Sequence, residues 1–216
     1  DDIALYCCIL CGFIGAHLIE ELLKDRSVRV VSLDNYSTGK EENHIKDAEY
    51  IRGDTNDIEE HISFVPDIVY HLGEYARTSA SFGEVERLWH SNLDGTHGVI
   101  EFCRKRKVKI VYAGSSTKFG LGSTKLRVES PDDGSGPQQS PYAWMKAWNT
   151  DLVERYGEWF GIPYAIAYFY NAYGEREMDA GPHATLIGIF TRQFKKGESL
   201  TVVRPGTQRR DFTYVK

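Results

Sequence analysis

The chain has 216 residues, which suits one large domain, or one domain and part of a second. Hydrophobic residues make up 41% of it, enough for a substantial core, and the net charge is −5 with a pI of about 5.8. This acidic balance disfavours a broad surface for nucleic acid or for an anionic membrane. The sequence contains no run of roughly 18 to 20 apolar residues and no basic-then-apolar leader, so we expect a cytoplasmic protein.

The cysteines and histidines do not predict a metal site or a disulfide framework. Three of the four cysteines, Cys7, Cys8 and Cys11, crowd together near the amino terminus. Cys8 and Cys11 have CxxC spacing, but the sequence offers no second pair, and the seven histidines show no ligand spacing. We therefore expect no bound metal.

Predicted strands and helices alternate along the chain. The strands are expected at 3–8, 28–33, 67–71, 109–113 and 163–169, and the helices at 13–24, 82–106 and 141–160. Such alternation is typical of an α/β fold, a Rossmann-type doubly wound parallel sheet with helices on both faces. A stretch rich in Gly, Ser and Pro at about 130–141 precedes the last of these helices, where it would shape a substrate entrance.

The first predicted strand is followed by a turn in which Gly12 and Gly15 open a helix. Glycines at this place let the backbone and the helix N-terminus approach a pyrophosphate. About twenty residues later the second strand ends at Asp34, whose carboxylate would accept the adenosine ribose hydroxyls and repel a 2′-phosphate. Together these features predict a dinucleotide site that favours NAD over NADP.

A hydroxyl, a phenol and an ammonium group are predicted to converge near this site. Tyr142 and Lys146 are four residues apart on one helix face, and Ser115 follows the strand at 109–113, at the sheet edge that holds ligands in such folds. The trio suits removal of a proton from a sugar or alcohol hydroxyl while hydride leaves the same carbon. A nearby ammonium and a cationic cofactor ring favour the phenolate that this base requires. The alternative is a tyrosine and a lysine on a solvated helix.

These segments, in this order, resemble the extended short-chain dehydrogenase/reductase family, and within it the NAD-dependent nucleotide-sugar epimerases and dehydratases. The resemblance covers nearly the whole chain. It rests on the glycine turn GFIGAHL at 12–18, DNYSTG at 34–39, GDT at 53–55, the HLAA-type strand end HLGE at 71–74, the helix asparagine Asn92 in NLDGT, Ser115, the Tyr142/Lys146 pair, YFYNAYG at 168–174, and QRRDFTYV at 208–215.

The resemblance implies a role for each matching position. It implies Ser115, Tyr142 and Lys146 as the catalytic group. It implies that the cofactor NAD is bound by Gly12, Phe13, Ile14, Gly15, Asp34, Asn35, Ser37, Gly39, Asp54, Thr55, Leu72, Gly73, Asn92, Tyr142, Lys146 and Phe169. It implies that a nucleotide-sugar substrate is bound by Ser115, Thr117, Tyr142, Asn171 and Arg210.

The chemistry that the resemblance implies is oxidation of a sugar at C4. The tyrosinate takes the proton of the 4-hydroxyl as hydride moves to NAD+, the serine orients that oxygen, and the lysine holds the cofactor ribose. Epimerases then rotate the 4-keto sugar and return the hydride to its other face, which regenerates the cofactor. Dehydratases and decarboxylases of the family carry an acidic residue just after the catalytic hydroxyl, where this chain has Ser116 and Thr117. A UDP-hexose 4-epimerase type is therefore the expected activity.

Two departures from the family pattern leave other functions open. Ile9 stands where the first glycine of the turn is usual, and the chain stops at Lys216, whereas family members continue. We therefore expect a C-terminally truncated member with an NAD-binding domain at 1–170 and part of a substrate-binding domain at 171–216. The alternatives are a catalytically impaired or silent NAD-binding protein, a nucleotide-sugar 4-ketoreductase, or a 4,6-dehydratase.

The resemblance also implies a homodimer. In the family, two long helices form the subunit interface, and they correspond to 82–106 and 142–160 here. Three tryptophans of the second helix, Trp144, Trp148 and Trp159, would pack either against the sheet or against a partner subunit.

Overall fold

The main sheet consists of six parallel strands. A computed structural model describes residues 3–8, 12–119, 140–181, 183–207 and 209–216. The strands of the main sheet are β1 (Ile3–Cys8), β2 (Val28–Asp34), β3 (Glu49–Arg52), β4 (Ile68–His71), β5 (Lys109–Ser115) and β6 (Tyr164–Phe169). Their order is β3-β2-β1-β4-β5-β6, with every neighbouring pair parallel. The expected doubly wound α/β fold is confirmed, and the strand order reverses direction between β1 and β4, where such sheets bind ligands.

Helices cover both faces of this sheet. The α-helices are α1 (Phe13–Leu22), α2 (Ile58–His61), α3 (Val85–Leu88), α4 (Gly95–Arg106), α5 (Pro141–Phe160) and α6 (Leu186–Lys195). Leu18, Ile19 and Leu22 of α1 pack on one face, whereas Val99, Phe102 and Val153, from α4 and α5, belong to the larger core on the other face. Parallel strands buried on both sides require apolar residues throughout, and β2 and β5 supply them.

The bounds of α5 agree with the prediction because the local sequence carries both end signals. The Ser140 hydroxyl accepts a hydrogen bond from the backbone N–H of Ala143 at 3.1 Å, and Pro141 occupies the first helical turn. The helix ends at Gly161, whose φ of 69° is left-handed. This helix therefore presents Tyr142 and Lys146 from a fixed starting point.

The helix predicted at 82–106 is present from Val85 to Arg106, but its predicted start and its regularity are wrong. A 3-10 turn covers Ala80–Phe82, α3 starts at Val85, and a π-helical segment, Trp89–Asp94, separates α3 from α4. Within this wider turn, the carbonyl of Asn92 accepts a hydrogen bond from the side chain of Asn149 on α5, at 2.7 Å. A side chain that bonds to a helix carbonyl is a recognised cause of such irregularity, and it comes from tertiary packing that a helical periodicity does not record.

The part of the chain that follows β6 forms small elements that the sequence patterns did not predict. β7 (Ala172–Tyr173) pairs in parallel with β8 (Thr213–Tyr214), and α6 lies between them in sequence. β3 and α2 were also missed. The proposed boundary between domains at residue 170 stays a prediction. Among the helices that the structure describes, none is long and apolar enough to cross a membrane.

Candidate functional site

A cavity of about 240 Å³ opens at the carboxyl ends of the central strands, next to the N-terminus of α1. Nine of the predicted site residues line it. They are Gly12, Phe13, Ile14, Gly15, Leu72, Ser115, Tyr142, Lys146 and Phe169. The structure therefore brings the predicted catalytic trio and the glycine turn to one cavity.

The beginning of α1 has the properties of a phosphate-binding helix end. Gly12 is its N-cap residue, with extended backbone angles and no side chain to cap the first N–H groups. A Cβ built on Gly12 would meet no heavy atom of the described residues within 4 Å, so among these residues open space lies in front of this turn. The free N–H groups and the positive end of the helix dipole fit the diphosphate of a dinucleotide.

We expect Gly12→Ala to weaken NAD+ binding about tenfold, equal to about 1.4 kcal/mol, because the added methyl group would occupy that space. The free energy of unfolding should change by less than about 1 kcal/mol, since only an N-cap preference is lost. Titration calorimetry and urea denaturation measure the two effects. Gly83→Ala is the control, because its Cβ would lie 3.8 Å from the Ala80 carbonyl oxygen, away from the cavity. Equal NAD+ affinity in both variants would contradict the assignment.

The segment after β2 is held together by its own polar groups. Oδ1 of the buried Asp34 accepts a hydrogen bond from the backbone N–H of Tyr36 at 2.6 Å, and the Asn35 amide donates to Asp54 at 3.1 Å. The second of these contacts joins two predicted cofactor residues, and Thr38 and Lys40 of the same segment line the cavity.

Several predicted site residues lie outside the lining of the cavity. They are Asp34, Asn35, Ser37, Gly39, Asp54, Thr55, Gly73, Asn92, Thr117, Asn171 and Arg210. Of the predicted substrate residues, Asn171 donates to the Asp211 carbonyl at 2.9 Å and Arg210 donates to the Arg209 carbonyl at 2.8 Å, both on the surface. Their proposed contacts with a sugar nucleotide stay predictions.

The predicted catalytic hydroxyl, that of Ser115, lies beside the hydroxyl group of Thr117. Oγ of Ser115 accepts hydrogen bonds from the Thr117 hydroxyl at 2.8 Å and from the Thr117 backbone N–H at 3.3 Å. Thr117 therefore fixes the Ser115 side chain from outside the lining. Tyr142 stands on the first turn of α5, and its ring packs with Tyr75, Leu88 and Met145.

Lys146 is buried and ion-paired. Only 4% of the residue is exposed, and its ammonium group contacts the Glu74 carboxylate and donates to the Ala113 carbonyl at 2.6 Å. It also lies 4.9 Å from the centre of the Tyr112 ring. Both Lys146 and Glu74 face the cavity.

Three neutral side chains complete the surroundings of Glu74. The Tyr112 hydroxyl lies 2.9 and 3.0 Å from the two carboxylate oxygens, the Thr96 hydroxyl donates at 2.8 Å, and the Asn149 amide donates at 2.6 Å. A buried carboxylate needs this kind of compensation. We call Glu74, Lys146, Tyr112, Thr96 and Asn149 the Glu74 network.

The charges in this network follow from burial and from the ion pair. Burial alone would raise the pKa of the Glu74 carboxyl, but the Lys146 ammonium and the hydrogen bonds hold that pKa below its ordinary value. Burial, with Glu74 beside it, raises the pKa of the Tyr112 phenol well above its usual range. Burial lowers the pKa of His71 to about 4, and its ring lies 2.9 Å from the Thr96 hydroxyl. Glu74 is thus a carboxylate at neutral pH, with Lys146 in contact and neutral groups around it.

Asn92, predicted to bind cofactor, lies under the site. It is fully buried, its side-chain oxygen accepts from the Tyr75 N–H at 2.8 Å, and its amide donates to the Tyr75 carbonyl at 3.1 Å. The backbone carbonyl of Asn92 accepts a hydrogen bond from the Asn149 side-chain amide. Asn92 therefore connects the π-helical turn to the segment that carries Glu74.

Sequence reasoning missed two arginines in the lining. The Arg77 guanidinium donates to the His183 carbonyl, with Nε at 2.7 Å, and burial lowers its pKa. Arg176 pairs with Glu20 of α1 at 2.6 and 2.9 Å. Arg77 comes six residues after the strand-end His71, a short distance that gave a usable signal, whereas Arg176 reaches α1 only through the fold. The other missed residues of the lining are Thr38, Lys40, Asn43, Glu74, Ala76, Ala113, Gly114, Met178 and His183.

Two of the features singled out in the sequence lie outside the described residues. They are Ile9, at the first position of the glycine turn, and most of the loop at 130–141. The expected effect of Ile9 on cofactor affinity therefore stays a prediction.

Comparisons with known proteins show the family of this chain. The family model for the NAD dependent epimerase/dehydratase family matches residues 11–216. UDP-N-acetyl-alpha-D-glucosaminuronate decarboxylase of Bacillus cytotoxicus is 32% identical over 94% of this chain, which spans 65% of that protein.

Two solved structures show the same fold. One is the UDP-N-acetylglucosamine 4-epimerase of Methanobrevibacter ruminantium in complex with UDP-N-acetylmuramic acid, with a TM-score of 0.90, 28% identity and coverage of 100% of this chain and 70% of that one. The other is the UDP-glucose 4-epimerase of Thermus thermophilus in complex with NAD, with a TM-score of 0.86, 30% identity and coverage of 99% and 71%. These matches confirm the expected resemblance and the expected NAD cofactor at the level of the family. The chain belongs to the NAD dependent epimerase/dehydratase family.

Proposed function

We propose that the protein epimerises a nucleotide sugar at C4, with a UDP-hexose as substrate. The observation that carries this proposal is the cavity itself, in which Ser115, Tyr142 and Lys146 face the same space as the glycine turn at 12–15. A hydroxyl, a phenol and an ammonium group beside a dinucleotide site have the chemistry for reversible oxidation of a sugar alcohol.

Each residue of the trio has one task in this proposal. Tyr142 accepts the proton of the sugar 4-hydroxyl and later returns it. Ser115, held by Thr117, donates a hydrogen bond to the sugar oxygen. Lys146 holds the cofactor ribose at the cavity that both residues line. Bound NAD supplies the acceptor and donor of hydride.

The outcome of the reaction is argued from the positions that follow the catalytic hydroxyl. Dehydration or decarboxylation calls for an acidic residue there, and this chain has Ser116 and Thr117. The carboxylate that does face the cavity, Glu74, is bonded to Lys146 and to three neutral donors. These features favour epimerisation over a 4,6-dehydratase. A 4-ketoreductase and a silent NAD-binding protein are the competing functions.

We also infer that the chain forms a homodimer through α4 and α5. Trp144 and Trp148 of α5 are 43% and 54% exposed, and their ring centres lie 5.8 Å apart. Trp159, near the end of the same helix, is exposed too. The sequence left two positions open for these tryptophans, against the sheet or against a partner subunit. Packing against the sheet is wrong, because their rings face outward. Exposed aromatic rings on one helix are typical of a subunit interface.

The test is incubation of the purified chain and NAD+ with UDP-glucose and, separately, with UDP-galactose. An epimerase converts each sugar nucleotide into a mixture of the two without net consumption of cofactor. A 4-ketoreductase working in reverse would oxidise the sugar at C4 and reduce added NAD+ to NADH in proportion to the 4-keto sugar formed, whereas a silent protein would bind NAD+ and leave both sugars unchanged. Either of these results would overturn the epimerase assignment. Light scattering of the same sample measures the oligomeric state.

A further inference from the structure

A carboxylate lies beside the lysine of the predicted catalytic trio, and the proposed reaction gives it no task. Glu74 ends the segment 71–74 that resembles an HLAA-type strand end, a pattern that has a small apolar residue at this position. Its side chain is buried, faces the cavity and bonds to Lys146. Burial of a carboxylate is unfavourable unless other groups compensate it, so an ionised Glu74 in this place requires the whole Glu74 network.

We propose that Glu74 sets the preference of the site for NAD+ over NADH, because its negative charge cancels the charge of Lys146 near the nicotinamide ring. This inference rests on the proposed function, which places the nicotinamide beside Tyr142 and its ribose at Lys146. Glu74 is thus a positioning residue that acts through Lys146.

The direction of the effect follows from the charges that border the cavity. The nicotinamide ring is positively charged when oxidised and neutral when reduced. Lys146 and the partly buried Arg77 are both cationic and both line the cavity, and together they would disfavour the oxidised ring. Glu74 supplies the compensating negative charge in direct contact with Lys146.

The neutral partners of Glu74 keep this compensation in place. Tyr112, Thr96 and Asn149 donate hydrogen bonds to the carboxylate and add no charge of their own. The ammonium in turn is fixed by the Ala113 carbonyl. The ion pair therefore has a defined position, and its field at the cofactor is preorganised. An epimerase benefits from this arrangement because each catalytic cycle begins and ends with NAD+.

The test compares the dissociation constants of NAD+ and NADH in the purified chain and in Glu74→Gln, measured by calorimetry at one pH and one ionic strength. The amide keeps the shape of the side chain and removes its charge. We expect the dissociation constant of NAD+, divided by that of NADH, to rise about tenfold. One uncompensated positive charge near the ring would disfavour the oxidised cofactor to that extent. Glu49→Gln is the matched control, since it removes the same charge from a surface pair with Arg29 and should leave the ratio unchanged.

A second comparison covers the case in which Glu74→Gln does not fold with an unpaired Lys146. The double variant Glu74→Gln with Lys146→Met removes both charges of the pair and leaves no net charge at these two positions, as in the unsubstituted chain. Its ratio of the two constants should therefore stay within twofold of that of the unsubstituted chain. A ratio that stays within twofold in Glu74→Gln, or one that shifts tenfold in the double variant, overturns the role of Glu74. Failure of the unsubstituted chain to bind either nucleotide would instead overturn the proposed function, and this inference with it.

Discussion

Replacing Tyr142 by phenylalanine is expected to lower the interconversion of UDP-glucose and UDP-galactose by about 10³-fold. The substitution removes one hydroxyl, and this hydroxyl is the group that takes and returns the proton of the sugar in the proposed reaction. The ring remains, so its packing against Leu88 and Met145 should keep the start of α5 in place. Initial rates, measured with both sugar nucleotides, give the effect in each direction.

The matched control for this variant is Tyr75→Phe. Tyr75 belongs to the same cluster of buried side chains, but it lies outside the cavity lining. Its loss of a hydroxyl should leave the rate within about threefold of the unsubstituted chain, a range in keeping with ordinary context effects on a group away from the chemistry. NAD+ affinity should also persist in Tyr142→Phe, which separates loss of the base from loss of the cofactor. Retention of more than a tenth of the rate in Tyr142→Phe would exclude this residue as the base.

Replacing Lys146 by methionine is expected to lower the free energy of unfolding at pH 7 by about 3–5 kcal/mol. After this substitution, Glu74 would be a buried carboxylate that accepts from three neutral donors and has lost the cation in contact with it. For a chain of this size the loss corresponds to a decrease in the melting temperature of roughly 2–4 °C per kcal/mol. Urea denaturation followed by circular dichroism measures it. A loss of less than about 1 kcal/mol would show that the pair contributes no more than a surface ion pair.

The loss of stability in Lys146→Met should depend on pH in a defined direction. In the unsubstituted chain the pKa of Glu74 is held below its ordinary value, mainly by Lys146 once burial is offset. The carboxylate therefore contributes stability at pH values above about 4.3, the ordinary glutamate value, and this contribution is lost as the pH falls through the folded-state pKa. Without Lys146 the buried carboxyl prefers its protonated form. The difference in the free energy of unfolding between the two proteins should therefore narrow from pH 7 toward pH 4. Lys105→Met is the control, because Lys105 pairs with Glu59 on the surface, at 3.0 Å.

The sequence predicted the elements whose signals are local. Ser140, Pro141 and Gly161 mark the two ends of α5, and the apolar runs of β2 and β5 mark central strands of a parallel sheet. β3 was missed because two of its four residues are exposed and the other two are only partly buried, so no apolar run marks it. The π-helical turn was missed because its side-chain contact comes from Asn149, more than fifty residues away in sequence.

The residues of the site also differ in whether local sequence signals predict them. The glycine turn, Ser115, Tyr142 and Lys146 follow from motif spacing and from the edge of the sheet to which parallel strands lead. Glu74 was noted only as the end of a strand motif, although a charged residue just after the apolar run of β4 is a signal of a buried ion pair. Its partners come from α4, α5 and β5, so its role depends on three elements that meet only in the folded chain.

The π-helical segment Trp89–Asp94 also determines what a one-residue deletion in this helix would change. A π turn holds about one residue more than an α turn, so deletion of a single residue there would let α3 and α4 join as one regular helix. Because the removed residue is the extra one of the wide turn, the two segments would keep their relative rotation, and Leu88 would stay in the Tyr142 cluster. The Asn92 carbonyl would take a regular α-helical position and move relative to the Asn149 amide. Such a deletion should therefore weaken the contact between this helix and α5 without changing which side chains face the core.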